Sequence, residues 1–148
     1  MSSLLYSEEN FGIVVHGGAG VMSGLSDERQ QQIHKKIQET VSEAYEILEQ
    51  GGSSFDAVEL AVSMLEDSPL FNAGRGSVYN SDEVQEMDAS IMDGKNRLSG
   101  AVASVSTVKN PIKLARKVAE ETKHVLLVGE GAERFARDIG VDLSLIHI

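Results

Sequence analysis

The stretch Leu65-Glu66-Asp67-Ser68-Pro69-Leu70-Phe71-Asn72-Ala73-Gly74-Arg75-Gly76-Ser77 places the tightest constraint on how this chain can fold. A long amphipathic helical pattern precedes it and two strand-like runs follow. Pro69 disfavours the α conformation at Ser68, so the helix is predicted to end near there. Gly74 and Gly76 permit backbone conformations closed to other residues. Non-helical backbone in an apolar setting leaves carbonyl oxygens in need of partners. Those partners can be structural, catalytic or a bound ion, and local chemistry leaves all three open. Asn72, between Phe71 and Ala73, can both donate and accept, and could orient a nucleophile or cap a helix end.

The 148 residues suit one domain, with 41% hydrophobic and 24% charged residues, as in ordinary globular chains. Thirteen Lys and Arg against 23 Asp and Glu give a net charge of −10. That balance opposes attachment to nucleic acid or anionic membrane, both of which call for a basic face. Without cysteine, disulfides and thiolate metal sites are excluded. Residues 1–10 lack the basic and apolar regions of a signal peptide and are expected to be a flexible N-terminus. No run approaches the ~18 apolar residues of a membrane span. A soluble, cytoplasmic protein is the expectation.

Residues 11–16, Phe-Gly-Ile-Val-Val-His, form an apolar, β-branched run that predicts a buried strand leading into Gly17-Gly18-Ala19-Gly20. Ser26 can cap the next helix, with Asp27 and Glu28 in its first turn. Ile33, Ile37, Val41, Ala44 and Leu48 give that helix one apolar face, and Gly51-Gly52 end it. Ser53 with Asp56 reads as a capping box for a second helix, striped by Val58, Ala61, Val62 and Leu65. Two helices joined so tightly are expected to pack as a layer on a common support. Met87, Ala89 and Ile91 then alternate at period two, Asp93-Gly94 supplies a hairpin turn, and residues 98–105 resume the strand pattern.

Asn110-Pro111 predicts a helix start in which Asn caps and Pro loses nothing by lacking an N–H. Ile112, Ala115, Val118 and Ala119 face inward from it. Residues 125–128 read as a further buried strand broken by Gly129-Glu130-Gly131. Residues 132–139 read as a helix with Gly140 as its C-cap. The order β, α, α, β, β, α, β, α implies a sheet covered by helices, within a domain spanning residues 11–140. The final run, residues 141–148, is apolar and uncapped, and is read as a truncated or non-native tail.

His16-Gly17-Gly18-Ala19-Gly20 after a strand can be a plain tight turn or a loop offering backbone N–H groups to an anion or oxyanion. A dinucleotide site is disfavoured because its acidic residue, ~20 residues on, would fall inside a long helix. It is no P-loop, since no Gly-Lys-Ser/Thr follows. His16, His34, His124 and His147 show no ligand spacing. No Gly-x-Ser-x-Gly occurs. Asp88 and Asp93, on opposite strand faces, read as solvent and turn residues. Nothing here is a convincing nucleophile.

Three blocks resemble one family in order and spacing: Val14-Val15-His16-Gly17-Gly18-Ala19-Gly20, residues 65–79, and Glu86-Met87-Asp88-Ala89-Ser90-Ile91-Met92-Asp93-Gly94. With Ser99-Gly100-Ala101-Val102-Ala103, Asn110-Pro111 and Val128-Gly129-Glu130-Gly131-Ala132-Glu133-Arg134-Phe135-Ala136, they are similar to the plant-type asparaginases, also called isoaspartyl peptidases. The resemblance covers roughly residues 11–138. It implies an α+β fold, the four-layer αββα sandwich of the N-terminal-nucleophile hydrolases, of which only the N-terminal α-subunit part is present. It further implies a precursor that cuts itself into α and β subunits. The new N-terminal threonine is the nucleophile and its own amino group the base. L-asparagine and β-aspartyl dipeptides are the implied substrates, and a dimer of αβ units the implied assembly.

Residue by residue, the resemblance maps Asn72 beside the nucleophile and His16, Gly17, Gly18 and Gly20 onto a flexible loop at the active site. It maps the main-chain carbonyls of Leu65, Glu66, Ser68, Phe71, Ala73 and Arg75 onto a loop that holds Na⁺ (or K⁺), as suits a hard cation. No organic cofactor is implied. The family's Gly-Thr-Val-Gly cleavage sequence is absent, and Thr107 and Thr122 stand in no such context, so this stretch alone is expected to be inactive. A glycosylasparaginase or threonine aspartase relative is the alternative within the superfamily. A non-catalytic module binding an anion on the glycine loop is the alternative outside it.

Overall fold

A computed structural model of the protein describes residues 11–20 and 24–144. The N-terminus expected to be flexible (residues 1–10), residues 21–23 and the last part of the expected tail (residues 145–148, with His147) lie outside the described residues.

Ser26 starts helix α1 (Asp27–Glu49), its hydroxyl accepting the Arg29 N–H at 3.3 Å with Asp27 and Glu28 in the first turn. Helix α2 (Ser54–Glu66) opens on the expected Ser53–Asp56 pair. The Asp56 N–H donates to Ser53 Oγ at 3.1 Å, and that hydroxyl donates to Asp56 Oδ2 at 2.6 Å. The box thus closes between side chains rather than reaching back to the backbone. α2 stops at Glu66, with Asp67 as its cap, just ahead of Ser68-Pro69.

Strands β1 (Met87–Asp93) and β2 (Leu98–Val105) form the expected hairpin. Asp93 organises its turn by accepting the Lys95 N–H at 2.9 Å and Asn96 Nδ2 at 2.5 Å. Pairing slips between Met87 and Ala89, where β2 carries one extra residue. Ser104 takes up that residue at φ 52, and Asp88 Oδ1 accepts its N–H at 2.8 Å. Exposed Asp88 therefore also fixes a bulge. Helix α3 (Pro111–Glu121) crosses to β3 (Leu126–Val128), which runs parallel to β2, giving a three-stranded mixed sheet in the order β1-β2-β3. Helix α4 (Gly129–Ile139) follows at once, and Gly140 caps it at φ 73, ψ 36. α4 starts three residues earlier than the sequence suggested, with both glycines in its first turn.

α3 lies on the sheet and supplies the centre of the core. Ile112, Leu114, Ala115 and Val118 are buried with Val102, Val105, Val108, Phe55, Met87 and Ile91. The approach is close because Gly100 lacks a side chain. A Cβ there would stand 2.1 Å from Ala115 O and 2.5 Å from Ala119 N. Arg116 pins α3 to α2, pairing with Asp56 at 2.8 Å and Glu59 at 2.6 Å while its guanidinium sits 4.7 Å from the Phe55 ring centroid.

Three expectations need correction. Residues 11–16 are not a strand: among the described residues no strand lies beside them, and a strand needs a ladder. Their period of two survives as packing, since Ile13 and Val15 rest on Ala44, Ala57 and Ala61 while Val14 is 95% exposed. β3 is not buried: among the described residues it pairs only with β2, and Leu126 and Val128 remain about half exposed. The two first helices do not share one support. α1 packs chiefly on α2, while α2 also packs on α3 and β1. No helix among the described residues is long and apolar enough to cross a membrane.

Residues 141–144, expected in the tail, run back along residues 107–109. Val108 bridges Leu143, Lys109 N–H donates to Asp142 O at 3.0 Å, and Ser144 N–H donates to Thr107 O at 2.7 Å. Glu133 on α4 secures the same segment. Its Oε1 accepts the N–H groups of Ser106 (2.7 Å) and Thr107 (2.9 Å), and its Oε2 accepts the Thr107 hydroxyl. Burial by itself would raise this carboxyl, but the Thr107 hydroxyl and the two N–H groups outweigh it and hold the pKa below the ordinary value. A carboxyl lowered in the fold stabilises above its unfolded pKa and ceases to as pH falls through the folded value. Replacing Glu133 by Ala should therefore cost about 2–4 kcal/mol at pH 7. Thermal unfolding of both proteins from pH 7 to pH 3 checks this; a gap that stays constant into acid would contradict it.

Candidate functional site

The break after α2 folds into a turn whose inner wall is main chain. Pro69 stops the helix, and residues 68–73 curve back until the short 3-10 turn Gly74–Gly76 lies on the end of α2. Gly74 (φ 51) sits so close that a Cβ would meet Glu66 O at 2.4 Å and Glu66 Cβ at 2.6 Å. At Gly76 it would meet Phe71 O at 2.1 Å and Ser68 O at 3.1 Å. Carbonyls of Phe71 and Ser68 thus converge on one small region that exists only because Gly76 has no side chain. Leu65 O accepts Ser68 N–H at 3.2 Å and Ala73 O accepts Gly76 N–H at 3.0 Å. Among the described residues no hydrogen bond reaches the carbonyls of Glu66, Ser68, Phe71 or Arg75.

Asn72 stands at the crest of this turn. Its Oδ1 accepts Val78 N–H at 3.0 Å, which ties the two ends of the turn together. Ser77 Oγ adds a bond to Gly74 O at 2.8 Å. With its oxygen engaged, the Asn72 amide is fixed in orientation, and its Nδ2 makes no hydrogen bond among the described residues. The side chain is exposed and its NH₂ is free to donate.

The glycine loop meets this turn directly. A Cβ on Gly17 would lie 2.9 Å from Ile37 Cδ1 and 3.0 Å from Phe71 Cε1, so absence of a side chain lets the two segments touch. Between them lies a cavity of about 710 Å³ that His16, Gly17, Gly18 and Gly20 share with Phe71 and Asn72. His16 is exposed, and its Nδ1 accepts Gly18 N–H at 3.2 Å. That bond uses one of the N–H groups an anion would need, which weakens the anion-module reading. A second cavity, about 330 Å³, lies on the other side of Asn72 against Glu66, Ser77, Asp88 and Ile112. The structure thus brings together the predicted loop, the predicted asparagine and the predicted carbonyl turn.

Sequence reasoning named Glu66 only for its carbonyl. The residue is 3% exposed, and its Oε1 accepts the N–H of Ile112 at 3.0 Å. It therefore caps α3 across space, where Asn110 was expected to do so. Asn110 makes no side-chain cap and its Nδ2 instead donates to Asp67 Oδ1 at 3.2 Å. Burial pushes the Glu66 carboxyl up to about 7, against the lowering influence of the Ile112 N–H and of Asn110. The sign available in the sequence is a carboxylate in the last turn of a helix, where the dipole opposes it unless a partner compensates. Among the described residues no three His, Asp or Glu side chains converge to hold a metal ion.

The chain belongs to the asparaginase family, whose model matches residues 9–144. It is 53% identical over 129 residues to the isoaspartyl peptidase/L-asparaginase of Rattus norvegicus, covering 87% of this chain and 38% of that protein. It is 54% identical over 128 residues to the plant-type L-asparaginase of Pyrococcus furiosus, covering 86% of this chain and 41% of that protein. A putative isoaspartyl peptidase/L-asparaginase of Dictyostelium discoideum is 47% identical over 133 residues. The matched stretch spans about two fifths of the length of these curated relatives.

The crowding at Gly76 generates a prediction. Gly76→Ala must push Phe71 O aside, and should destabilise the protein by about 1–3 kcal/mol. Denaturant unfolding of the variant measures it, and a midpoint equal to that of the parent protein would refute the close approach.

Proposed function

We propose that the full-length protein is an amidohydrolase that cleaves the side-chain amide of L-asparagine and the isopeptide bond of β-aspartyl dipeptides. Family membership over residues 9–144, with about half the residues identical to proteins named isoaspartyl peptidase/L-asparaginase, is the observation that carries this reading. In it the precursor cleaves itself and exposes a threonine whose amino group removes the hydroxyl proton. The hydroxyl oxygen bonds to the substrate's side-chain carbonyl carbon, and ammonia or an amino acid leaves. Water then releases aspartate. This chain supplies the α-subunit half of a four-layer αββα sandwich, pairs with its own β subunit, and joins a dimer of αβ units in the cytoplasm.

Within that reading, Asn72 directs its free NH₂ toward the nucleophile while Val78 holds its oxygen. The glycine loop, pressed on Phe71, forms the opposite wall of the substrate cavity. The carbonyls of Leu65, Glu66, Ser68, Phe71, Ala73 and Arg75 would hold a Na⁺ (or K⁺) ion. Convergence of the Ser68 and Phe71 carbonyls at Gly76, and an all-oxygen donor set, fit a hard monovalent cation. Bound there, the ion supplies charge compensation for the crowded carbonyls and stiffens the turn.

Two outcomes test this. Full-length protein should split into two chains and release aspartate from β-aspartyl dipeptides. Mass spectrometry that finds only intact chain after long incubation, with no aspartate formed, would sink the hydrolase reading. Exchanging Na⁺ for tetramethylammonium should lower the thermal midpoint by several degrees, as expected for loss of a saturating ligand worth about 2–3 kcal/mol. An unchanged midpoint would remove the cation from the turn.

A further inference from the structure

We propose that the Glu66 side chain is a positioning residue, which sets the stance of the Asn72 turn by clamping the end of α2 to the start of α3. The catalytic part of this inference rests on the hydrolase reading above; the structural part does not.

The first helical residue of α3, Pro111, has no N–H, and Asn110 O serves the amides of Lys113 (3.0 Å) and Leu114 (3.5 Å). Ile112 N–H is the donor left over, and Glu66 Oε1 takes it. Ile112 is 2% exposed and Glu66 3%, so the bond is shielded from bulk solvent. The same residue is also the floor of the turn. Gly74 lies on Glu66 O, Cα and Cβ at distances that would be 2.4–2.7 Å to a Cβ. Gly74 O is held by Ser77, and the bond from Asn72 to Val78 closes the turn one residue further on. Glu66 thus has a side chain on α3 and a backbone under the turn that carries Asn72. Because α3 is fixed to the sheet through Gly100, the position of Asn72 is referred through Glu66 to the core.

The bond to Ile112 needs an acceptor of the right length rather than a charge. Glu66→Gln keeps an acceptor oxygen at the same reach and removes only the charge. Glu66→Asp withdraws the acceptor by one methylene, and Glu66→Ala removes it. Misplacing a group at a reacting centre by about 1 Å can cost on the order of 100-fold in rate.

The test uses the full-length, self-processed protein. Hydrogen exchange at Ser77 and Val78 should accelerate about 10-fold or more in Glu66→Ala, with Val102 and Val118 unchanged, and Glu66→Gln should stay near the parent rate. Hydrolysis of a β-aspartyl dipeptide should lose about 10- to 100-fold in kcat with little change in KM, and Glu66→Gln should restore most of it. In an Asn72→Ala background the Glu66→Ala change should cost little more, since one acts through the other. If Glu66→Ala fails to fold, Glu66→Asp takes its place. Unchanged exchange at Val78, or kinetic losses that simply add with those of Asn72→Ala, would overturn the proposal. Parent protein that exchanges as expected but hydrolyses nothing would instead defeat the hydrolase reading and leave the clamp standing.

Discussion

One buried hydrogen bond, from Ile112 N–H to the Glu66 carboxyl, holds together what the chain order keeps apart. Forty-five residues of turn and hairpin separate these partners, yet the bond makes the end of α2 and the start of α3 a single corner. An unpaired donor or carboxyl buried at that corner would cost several kcal/mol, so neither partner is dispensable while the other remains. The turn that carries Asn72, which faces both cavities, is mounted on this corner. Asp67, the next residue, adds a second tie by accepting from Asn110 and lying 3.8 Å from Lys109 Nζ.

Much of this arrangement was legible in the sequence because it follows from local rules. Ser26 and Ser53 announce helix starts, Pro69 a stop, Gly140 a left-handed cap, and Asp93-Gly94 a hairpin, and each element begins or ends where that chemistry acts. The inward faces of β1 and α3 follow their periods for the same reason. What escaped was everything decided by a distant partner. An apolar, β-branched run such as residues 11–16 satisfies the pattern of a strand, but pairing is a property of two segments. Asn110 looks like a cap until a carboxylate from another helix reaches the donor first. Glu133, read only as part of a family block, proves to bind two successive backbone amides 26 and 27 residues away.

The candidate site shows the same division. Gly17, Gly74 and Gly76 could be flagged by composition, yet their purpose emerges only from what each lies against: Phe71, Glu66 and the Phe71 carbonyl. Each lets one layer of backbone sit directly upon another. The site is therefore shaped by main chain more than by side chains, and Asn72 is the exception that projects from it. Its fixed oxygen and free nitrogen give the turn a direction, which a residue with a freely rotating side chain would not provide.

The parallel pairing of β2 with β3 carries a consequence for how the chain reaches this state. The β1–β2 hairpin closes over a four-residue loop, and its register can form from neighbours alone. β3 must wait until α3 has been laid across the sheet, since the crossover spans the whole helix. Loop-closure entropy of such non-local pairing is met before any contact rewards it. Gly100 lets α3 seat at backbone distance on β2, the strand that β3 joins in register, and α4 beyond β3 brings Glu133 to residues 106 and 107. A residue that has no side chain thus sets how near the crossover helix lies to the strand that both hairpin and parallel pair share.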